Sequence, residues 1–264
     1  MKPLQFTLIA LLPLGSLSAA SIYDFQSETD ADFFTSEVSG WTQSSANPSI
    51  DGVEFPLAFI ANTTYFGGSN LAGHLGTQYG NNPLSATTSV TGSLAGAGKL
   101  VNSQVSVDFA IAASSNPSFA VRDAFAISVT AAGIGTAASF TLTPNDVDTT
   151  LWSISYTING VSGSTGFALT ENSDYTFYFN FLEGTTELSY GSTSLASVAT
   201  SFDVDADLAD IVISHTQTDF ATNAGHSLNS AVFDNISVTP IPEPSASLLA
   251  GVAALGLLRR RRAN

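Results

Sequence analysis

The sequence contains no cysteine and very few basic residues. Without thiols the chain has no disulfide framework, no thiolate nucleophile and no thiolate metal ligand. Its stability must therefore come from a packed core, which a body of about 220 residues is long enough to form. Aromatic residues are plentiful, with 18 Phe and 7 Tyr, and this composition is typical of a globular chain.

Positive charge is nearly absent from the body of the chain. Between Ser21 and Ile241 there are 21 acidic residues and two basic ones, Lys99 and Arg122, which gives this region a formal charge of −19. Such a body repels nucleic acids and anionic lipid surfaces. We therefore expect no nucleic-acid partner.

The N-terminus has the three parts of a secretory signal peptide. Lys2 provides the positive start, Leu4 to Leu17 form an apolar core, and Ser18-Ala19-Ala20 supply the small residues that a signal peptidase requires. We predict a signal peptide over residues 1–20, cleaved after Ala20. The alternative, a membrane anchor, is disfavoured because the apolar run is short.

The C-terminus combines Pro242-Glu243-Pro244, an apolar run from Ser245 to Leu258, and a basic cluster of Arg259, Arg260, Arg261 and Arg262. About 14 apolar residues are marginal for a transmembrane helix, which needs roughly 20. Arginine side chains that reach the headgroups extend the span. They also favour an orientation with the tail in the cytoplasm and the body outside.

These three parts, in this order and paired with a signal peptide, resemble the PEP-CTERM sorting signal of Gram-negative bacteria. The resemblance covers residues 240–264 only. It implies transient insertion in the inner membrane and processing by an exosortase, a membrane-embedded cysteine transpeptidase. It also implies delivery to the cell surface or extracellular matrix, where such systems accompany exopolysaccharide and biofilm. It implies nothing about the molecular task of the body.

The body alternates apolar and polar residues with a period of two, which indicates strands with one buried face. Examples are Val105 to Ile111, Phe125 to Val129, Phe140 with Leu142, Trp152 to Ile158, and Tyr175 to Phe181. No segment of the body has a convincing helical period. About ten to twelve strands in one unit predict an all-β, antiparallel β-sandwich or jelly roll.

Turn-forming pairs separate the predicted strands, among them Asn159-Gly160, Glu183-Gly184 and Tyr190-Gly191. The Gly- and Asn-rich part from Gly67 to Gly98 is predicted to form long loops at one end of the sandwich. No linker divides the middle, so residues 21–239 are predicted to be one domain.

The pair "DAFAISVT … ASFTLTP" and the closing strand "SAVFDNISV" resemble the concanavalin A-like (lectin and laminin-G type) sandwich. The resemblance implies that Phe233, Ile236 and Val238 face inward and that Asp234-Asn235 form a bulge or bend. An immunoglobulin-like sandwich is the alternative.

No catalytic arrangement is visible in the sequence. Glycosidases of the concanavalin A-like class place alternate carboxylates on one strand, where acid and nucleophile flank a sugar bond ~5 Å apart. Glu28, Asp30 and Asp32 lie just after the signal cleavage site, and Glu183 and Glu187 flank a turn, so neither set matches that template. No Gly-x-Ser-x-Gly nucleophile elbow is present either. We predict that the protein is not an enzyme.

Metal binding has one candidate region. His74, His215 and His226 lack metal-ligand spacing and are each predicted to be surface or loop histidines. Asp203, Asp205, Asp207 and Asp210 offer carboxylate oxygens that suit Ca²⁺, but Leu208 and Ser214 stand where an EF-hand has Gly and Glu. Two interpretations stay open, a solvated acidic loop, which we favour, and a calcium site.

Exposed aromatics and amides often bind sugars, and the N-terminal third contains several of both. We favour the interpretation that they belong to a satellite core under long loops, so none is assigned to a ligand. They are Trp41, Tyr65, Phe66, Tyr79, Asn62, Asn70, Asn81 and Asn82. The sequence therefore predicts a surface-sorted β-sandwich that contacts polysaccharide or acts in adhesion. A glycan hydrolase and a purely structural matrix protein remain alternatives.

Overall fold

The computed structural model describes residues 20–29, 32, 34, 38–44, 49–50, 53–54, 58–67, 70–76, 87–112, 123–145, 148, 150–216 and 229–242. No helix among them is long and apolar enough to cross a membrane. The predicted signal peptide before Ala20 lies outside the described residues. So do Glu243, Pro244, the predicted span after them and Arg259 to Arg262.

The described chain forms 17 β-strands. They are β1 (Ala20–Tyr23), β2 (Trp41–Gln43), β3 (Ser49–Ile50), β4 (Val53–Glu54), β5 (Ala58–Thr63), β6 (Asn70–Leu75), β7 (Thr87–Ser93), β8 (Ser103–Ala112), β9 (Ala124–Ala131), β10 (Gly135–Pro144), β11 (Leu151–Ile158), β12 (Val161–Thr170), β13 (Tyr175–Leu182), β14 (Thr185–Tyr190), β15 (Thr193–Ala199), β16 (Leu208–Thr216) and β17 (Ser230–Pro240).

Two antiparallel sheets contain nearly all of these strands. Sheet 1 has eight strands in the order β15-β14-β13-β8-β17-β6-β5, with β1 paired to β17 beside β6. Sheet 2 has seven strands in the order β12-β11-β10-β9-β16-β7-β2. The short strands β3 and β4 pair with each other. The predicted all-β, antiparallel sandwich is confirmed.

The core lies between the two sheets, where alternate residues of each strand point inward. Strand β13 is a clear case, because Phe177, Phe179 and Phe181 are fully buried whereas the residues between them are half-buried. From the facing sheet, Phe140 packs 4.7 Å from Phe177 and 5.1 Å from Phe179, measured between ring centroids. The period of two in the sequence therefore identified the core faces correctly.

The tight turns also follow the sequence. Asn159 and Gly160 both have positive φ, 48° and 79°, and connect β11 to β12 as a two-residue hairpin. This is the conformation that an Asn-Gly pair adopts at low cost in a type I′ turn. Glu183-Gly184 also connects β13 to β14 as a two-residue hairpin, in which Gly184 has a φ of 77° and Glu183 does not have positive φ.

Strand β17 contains the predicted bulge. Its register against β8 shifts between Asp234 and Ser237, and Asn235 has a φ of 49°. The shift lets Phe233 and Ile236, three residues apart, both face the core, where each is fully buried. Along the opposite edge of β17, the partner changes here from β6 to β1.

Two details of the sequence prediction are wrong. The described residues alone form 17 strands, more than the predicted ten to twelve, because short strands such as β2, β3 and β4 have too few residues to show a period. Strands β6 and β7 lie within the stretch from Gly67 to Gly98 that was predicted to form loops. Glycine is required in both: Cβ atoms would stand 2.5 Å from the Phe233 ring at Gly73 and 2.7 Å from the Trp41 ring at Gly92.

Candidate functional site

The outward side of sheet 1 is polar and only partly exposed. We call it the polar face and define it by the outward residues of five neighbouring strands. They are Gln104, Ser106, Asp108, Thr176, Tyr178, Asn180, Glu187, Ser189, Ser197, Ser237 and Thr239. Each lies directly opposite another member on the next strand, so the side chains form rows across the sheet.

Hydrogen bonds between these rows hold several of the side chains in place. Gln104 Nε2 donates to Asn180 Oδ1 at 2.7 Å, and Asn180 Nδ2 donates to Ser189 Oγ at 3.4 Å. The hydroxyls of Ser106 and Ser237 lie 2.7 Å apart in one further bond. The polar face is therefore ordered before any ligand arrives, which reduces the entropy that binding would cost.

Tyr178 and Glu187 are the two large side chains of the polar face that have no partner in the described chain; the smaller Ser197 and Thr239 have none either. Tyr178 and Glu187 are both half-buried, and neither side chain makes a hydrogen bond, ion pair or ring contact with the rest of the described chain. Glu187 lies opposite Asn180 and Tyr178 lies opposite Ser189, so the two side chains are diagonal neighbours on adjacent strands. Such neighbours have Cβ atoms within roughly 7–8 Å, which is within reach of long side chains.

A pair of aspartates lies at the centre of sheet 1, where Asp108 of β8 is directly opposite Asp234 of β17. Asp108 accepts hydrogen bonds from Thr176 Oγ1 at 2.6 Å and from Asn235 Nδ2 at 2.9 Å. Asp234 is fully buried, and neither of its carboxylate oxygens has a hydrogen-bond partner. The two carboxyl groups therefore have opposite environments.

Burial determines the protonation state of Asp234. Burial raises the pKa of Asp234 from its ordinary value of 3.8 to about 7, and the charges of Asp108 and Asp24 add to the rise. The backbone N–H of Asn235 lies near enough to lower the pKa of Asp234 somewhat, but its geometry falls short of a hydrogen bond. Asp234 is thus largely protonated below pH 7.

A short segment covers the outward side of sheet 1 next to this pair. Residues 63–67, which we call the strap, follow β5, and Tyr65 and Phe66 pack on Ala72, Ala110 and Val232. Tyr65 Oη donates to Asn172 Oδ1 at 2.7 Å, and the Phe66 amide donates to Asp174 Oδ2 at 3.0 Å. The strap therefore covers the row next to Asp108 and Asp234, whereas the rows of Tyr178 and Asn180 are not covered by it.

The structure shows what the candidate calcium residues do. Asp203 Oδ1 accepts the Asp205 amide at 2.9 Å, and Asp207 forms a 2.9 Å ion pair with Lys99, whose Nζ also donates to the Asp205 carbonyl at 2.8 Å. Asp210 lies in β16 and bonds Thr130. In the described part of the chain, no three His, Asp or Glu side chains are grouped so as to hold a metal ion. Calcium binding stays a prediction.

The histidine prediction is wrong for His215. Its ring is buried in the core, with Nε2 2.8 Å from Asp123 Oδ2. Asp123, which is also fully buried, accepts Trp152 Nε1 at its carbonyl at 3.0 Å. The sequence did contain a signal for this burial. Alternation along β16 places His215 on the same side of the strand as the inward-facing Ile211 and Ile213. His74 is half-buried in β6 and stacks on Phe59, whereas His226 lies outside the described residues.

The remaining acidic and aromatic candidates from the sequence have mostly structural roles. Asp32 Oδ2 accepts the Thr29 amide at 2.6 Å, Glu183 lies exposed in its turn, and Asp30 is outside the described residues. Trp41 is buried in the core, and Tyr65 and Phe66 belong to the strap. The structure describes neither Tyr79 nor Asn81 and Asn82. Tyr65 and Phe66 pack on a small separate cluster, as the satellite-core interpretation predicts. Tyr178 and the aspartate pair were not predicted from the sequence.

No known protein family matches the sequence, and no curated protein matches it. Solved structures do share the fold. An endo-acting O-glycanase from the human gut microbiota aligns with a TM-score of 0.56 at 9% identity, covering 85% of this chain and 100% of that one. The CBM2 module of the evolved Dit of Lactobacillus casei BL23 phage J-1 aligns with a TM-score of 0.51 at 12% identity, covering 85% and 98%.

A sialidase aligns with a TM-score of 0.54 at 10% identity, over 84% of this chain, but the chain spans only 18% of the sialidase. At such identities the similarity establishes the fold alone. This fold is the concanavalin A-like or jelly-roll sandwich, which carbohydrate-binding modules and glycan-active enzymes share.

Proposed function

We propose that the protein is a secreted, surface-sorted carbohydrate-binding β-sandwich that binds a glycan chain across the polar face of sheet 1 without cleaving it. The observation that carries the proposal is the ring of Tyr178, which has no partner in the described chain and lies in a row of serine hydroxyls next to the row of ordered amides. A sugar ring has an apolar side that packs on an aromatic ring and hydroxyls that exchange hydrogen bonds with amides. The polar face offers both kinds of group at one place.

The fold supports this proposal, because the carbohydrate-binding modules and glycan-active enzymes named above have the same sandwich. The hydrogen bonds that already order the polar face support the proposal as well. Asn180 is held between Gln104 and Ser189, so its amide need not be ordered when a sugar binds. Strands β13 and β14 lie between β15 and β8 in sheet 1, so an extended glycan could contact the side chains of several neighbouring strands.

Replacing Tyr178 with alanine is expected to weaken glycan binding at least tenfold, because the stacking platform is lost. Tyr178→Phe keeps the ring and should bind within about threefold of the wild type. A glycan array followed by calorimetry on the best ligand measures both, with Ser155→Ala on the outward side of sheet 2 as the control. Unchanged binding by Tyr178→Ala would show that glycans do not use this face.

The aspartate pair favours one second candidate, a glycan hydrolase. Acid–base cleavage of a sugar bond requires two carboxyl groups in different environments, and this pair has one group whose pKa is raised by burial. Asp234 is fully buried, however, so a substrate would have to displace neighbouring side chains to reach it. Release of reducing ends from a bound glycan, abolished in Asp108→Asn, would establish this alternative. A structural matrix protein, by contrast, would bind no glycan at all.

Sorting to the cell surface belongs to the same proposal and rests on the sequence of the two ends. Signal peptidase and exosortase would be the processing enzymes, and extracellular polysaccharide would be the lasting partner. Replacing Arg259 to Arg262 with glutamine is expected to abolish C-terminal processing, because the positive flank fixes the orientation of the span. Mass spectrometry of the C-terminus measures the outcome. A variant that matures like the wild type would contradict the sorting interpretation.

A further inference from the structure

The charges on the polar face restrict which glycans it can accept. The carboxylates of Glu187 and Asp108 both lie on this side of sheet 1. In the described part of the chain the only Lys or Arg is Lys99, which lies between β7 and β8 and is paired with Asp207. A glycan with uronate, sialate or sulfate groups would therefore meet negative charge without a compensating cation.

One of these carboxylates is available to a ligand and the other is not. Both oxygens of Asp108 accept hydrogen bonds from Thr176 and Asn235. Glu187 has no hydrogen bond and no ion pair in the described chain, and it is only half-buried. Its carboxylate therefore lacks a partner among the described residues, and a cationic ligand group would supply one.

Tyr178 provides the second half of a cation site. Its ring is free of other ring contacts and is the diagonal neighbour of Glu187 across β13 and β14. An ammonium group placed between the two would pair with the carboxylate and lie against the negative face of the ring. Ser189 and Asn180, which stand between them, can accept the remaining ammonium protons or bond neighbouring hydroxyls.

We propose that the polar face selects glycans with free amino groups, polymers of 2-amino-2-deoxyhexose, by holding the ammonium between Glu187 and Tyr178. This inference rests on the proposed function, since it names the glycan class that the same face binds. A neutral glycan would gain only stacking and hydrogen bonds there. An N-acetylated glycan would lose the ion pair, and an anionic glycan would be repelled.

The test compares β-1,4-linked hexasaccharides of equal length by calorimetry with the purified full chain. Chitosan hexaose is expected to bind about tenfold more tightly than chitin hexaose, which differs by N-acetylation, and oligomannuronate is expected not to bind. Because the ion pair is partly exposed, the preference for chitosan should shrink as salt rises from 50 to 500 mM.

Glu187→Gln should remove the preference for chitosan, so that chitosan hexaose and chitin hexaose bind the variant with similar affinity. The control is Glu183→Gln, which makes the same change in charge at the exposed turn beside β14 and should keep the preference. Equal binding of chitosan and chitin by the wild type, or a preference that survives Glu187→Gln, would overturn the inference while the carbohydrate-binding proposal stands. If none of the glycans binds, the inference and the proposed function both fail.

Discussion

Replacing Asp234 with asparagine is expected to raise the free energy of unfolding at pH 8 by about 2 to 4 kcal/mol. The wild-type carboxyl is fully buried without a hydrogen-bond partner, and it faces Asp108, so its ionised form is costly in the folded state. Asparagine has nearly the same shape and carries no charge at any pH. Its amide group can also donate to Asp108.

The sign of the pH dependence follows from the direction of the shift. The folded pKa of Asp234, about 7, exceeds the ordinary value of 3.8, so the folded state retains the proton over that interval. The stability associated with this proton is fully present below about pH 4, declines as the pH rises, and is lost once the pH has passed about 7. Asp234→Asn should therefore match the wild type near pH 4 and exceed it most at pH 8.

Urea denaturation followed by tryptophan fluorescence measures the effect, because Trp41 and Trp152 are both buried. The control is Asp205→Asn, which makes the same chemical change at an exposed loop carboxylate and should leave the pH profile of the wild type unaltered. An Asp234→Asn protein less stable than the wild type at pH 8, or displaced equally at pH 4 and pH 8, would refute this account of the pair.

Replacing Phe233 with alanine is expected to cost about 3–5 kcal/mol of stability, because a fully buried ring would leave a cavity. Ring centroids of Phe25, Phe34 and Trp41 lie 5.8, 5.8 and 5.6 Å from that of Phe233, so one side chain contacts three others. Removal of the Phe233 ring should also make the segment from Phe25 to Trp41 more mobile, because these ring contacts pack the segment against β17.

Urea midpoints give the stability, and limited proteolysis reports cleavage between Phe25 and Trp41. If Phe233→Ala does not fold, Phe233→Leu keeps part of the volume and should cost about 1–2 kcal/mol. Val161→Ala, at a position 50% exposed, is the control and should change stability by less than about 0.5 kcal/mol. A loss below about 1 kcal/mol for Phe233→Ala would show that the ring cluster does not hold this segment.

The sequence by itself determined the features that depend on neighbouring residues. The inward faces of β8, β9 and β13 and the Asn159-Gly160 turn were predicted from local pattern, and the resemblance of the closing strand implied the bulge at Asp234-Asn235. Each arises from a period of two or from a residue that tolerates positive φ, so a few consecutive residues contain the information.

Only the tertiary structure decided which distant residues meet. Asp108 and Asp234 are 126 positions apart, and their adjacency depends on β8 and β17 being neighbours in sheet 1. His215 and Asp123 meet across 92 positions, and Tyr178 and Glu187 share the polar face only through the β13–β14 register. Alternation assigns a side chain to one side of its strand, but strand order assigns its neighbours, and that order is a property of the whole sheet.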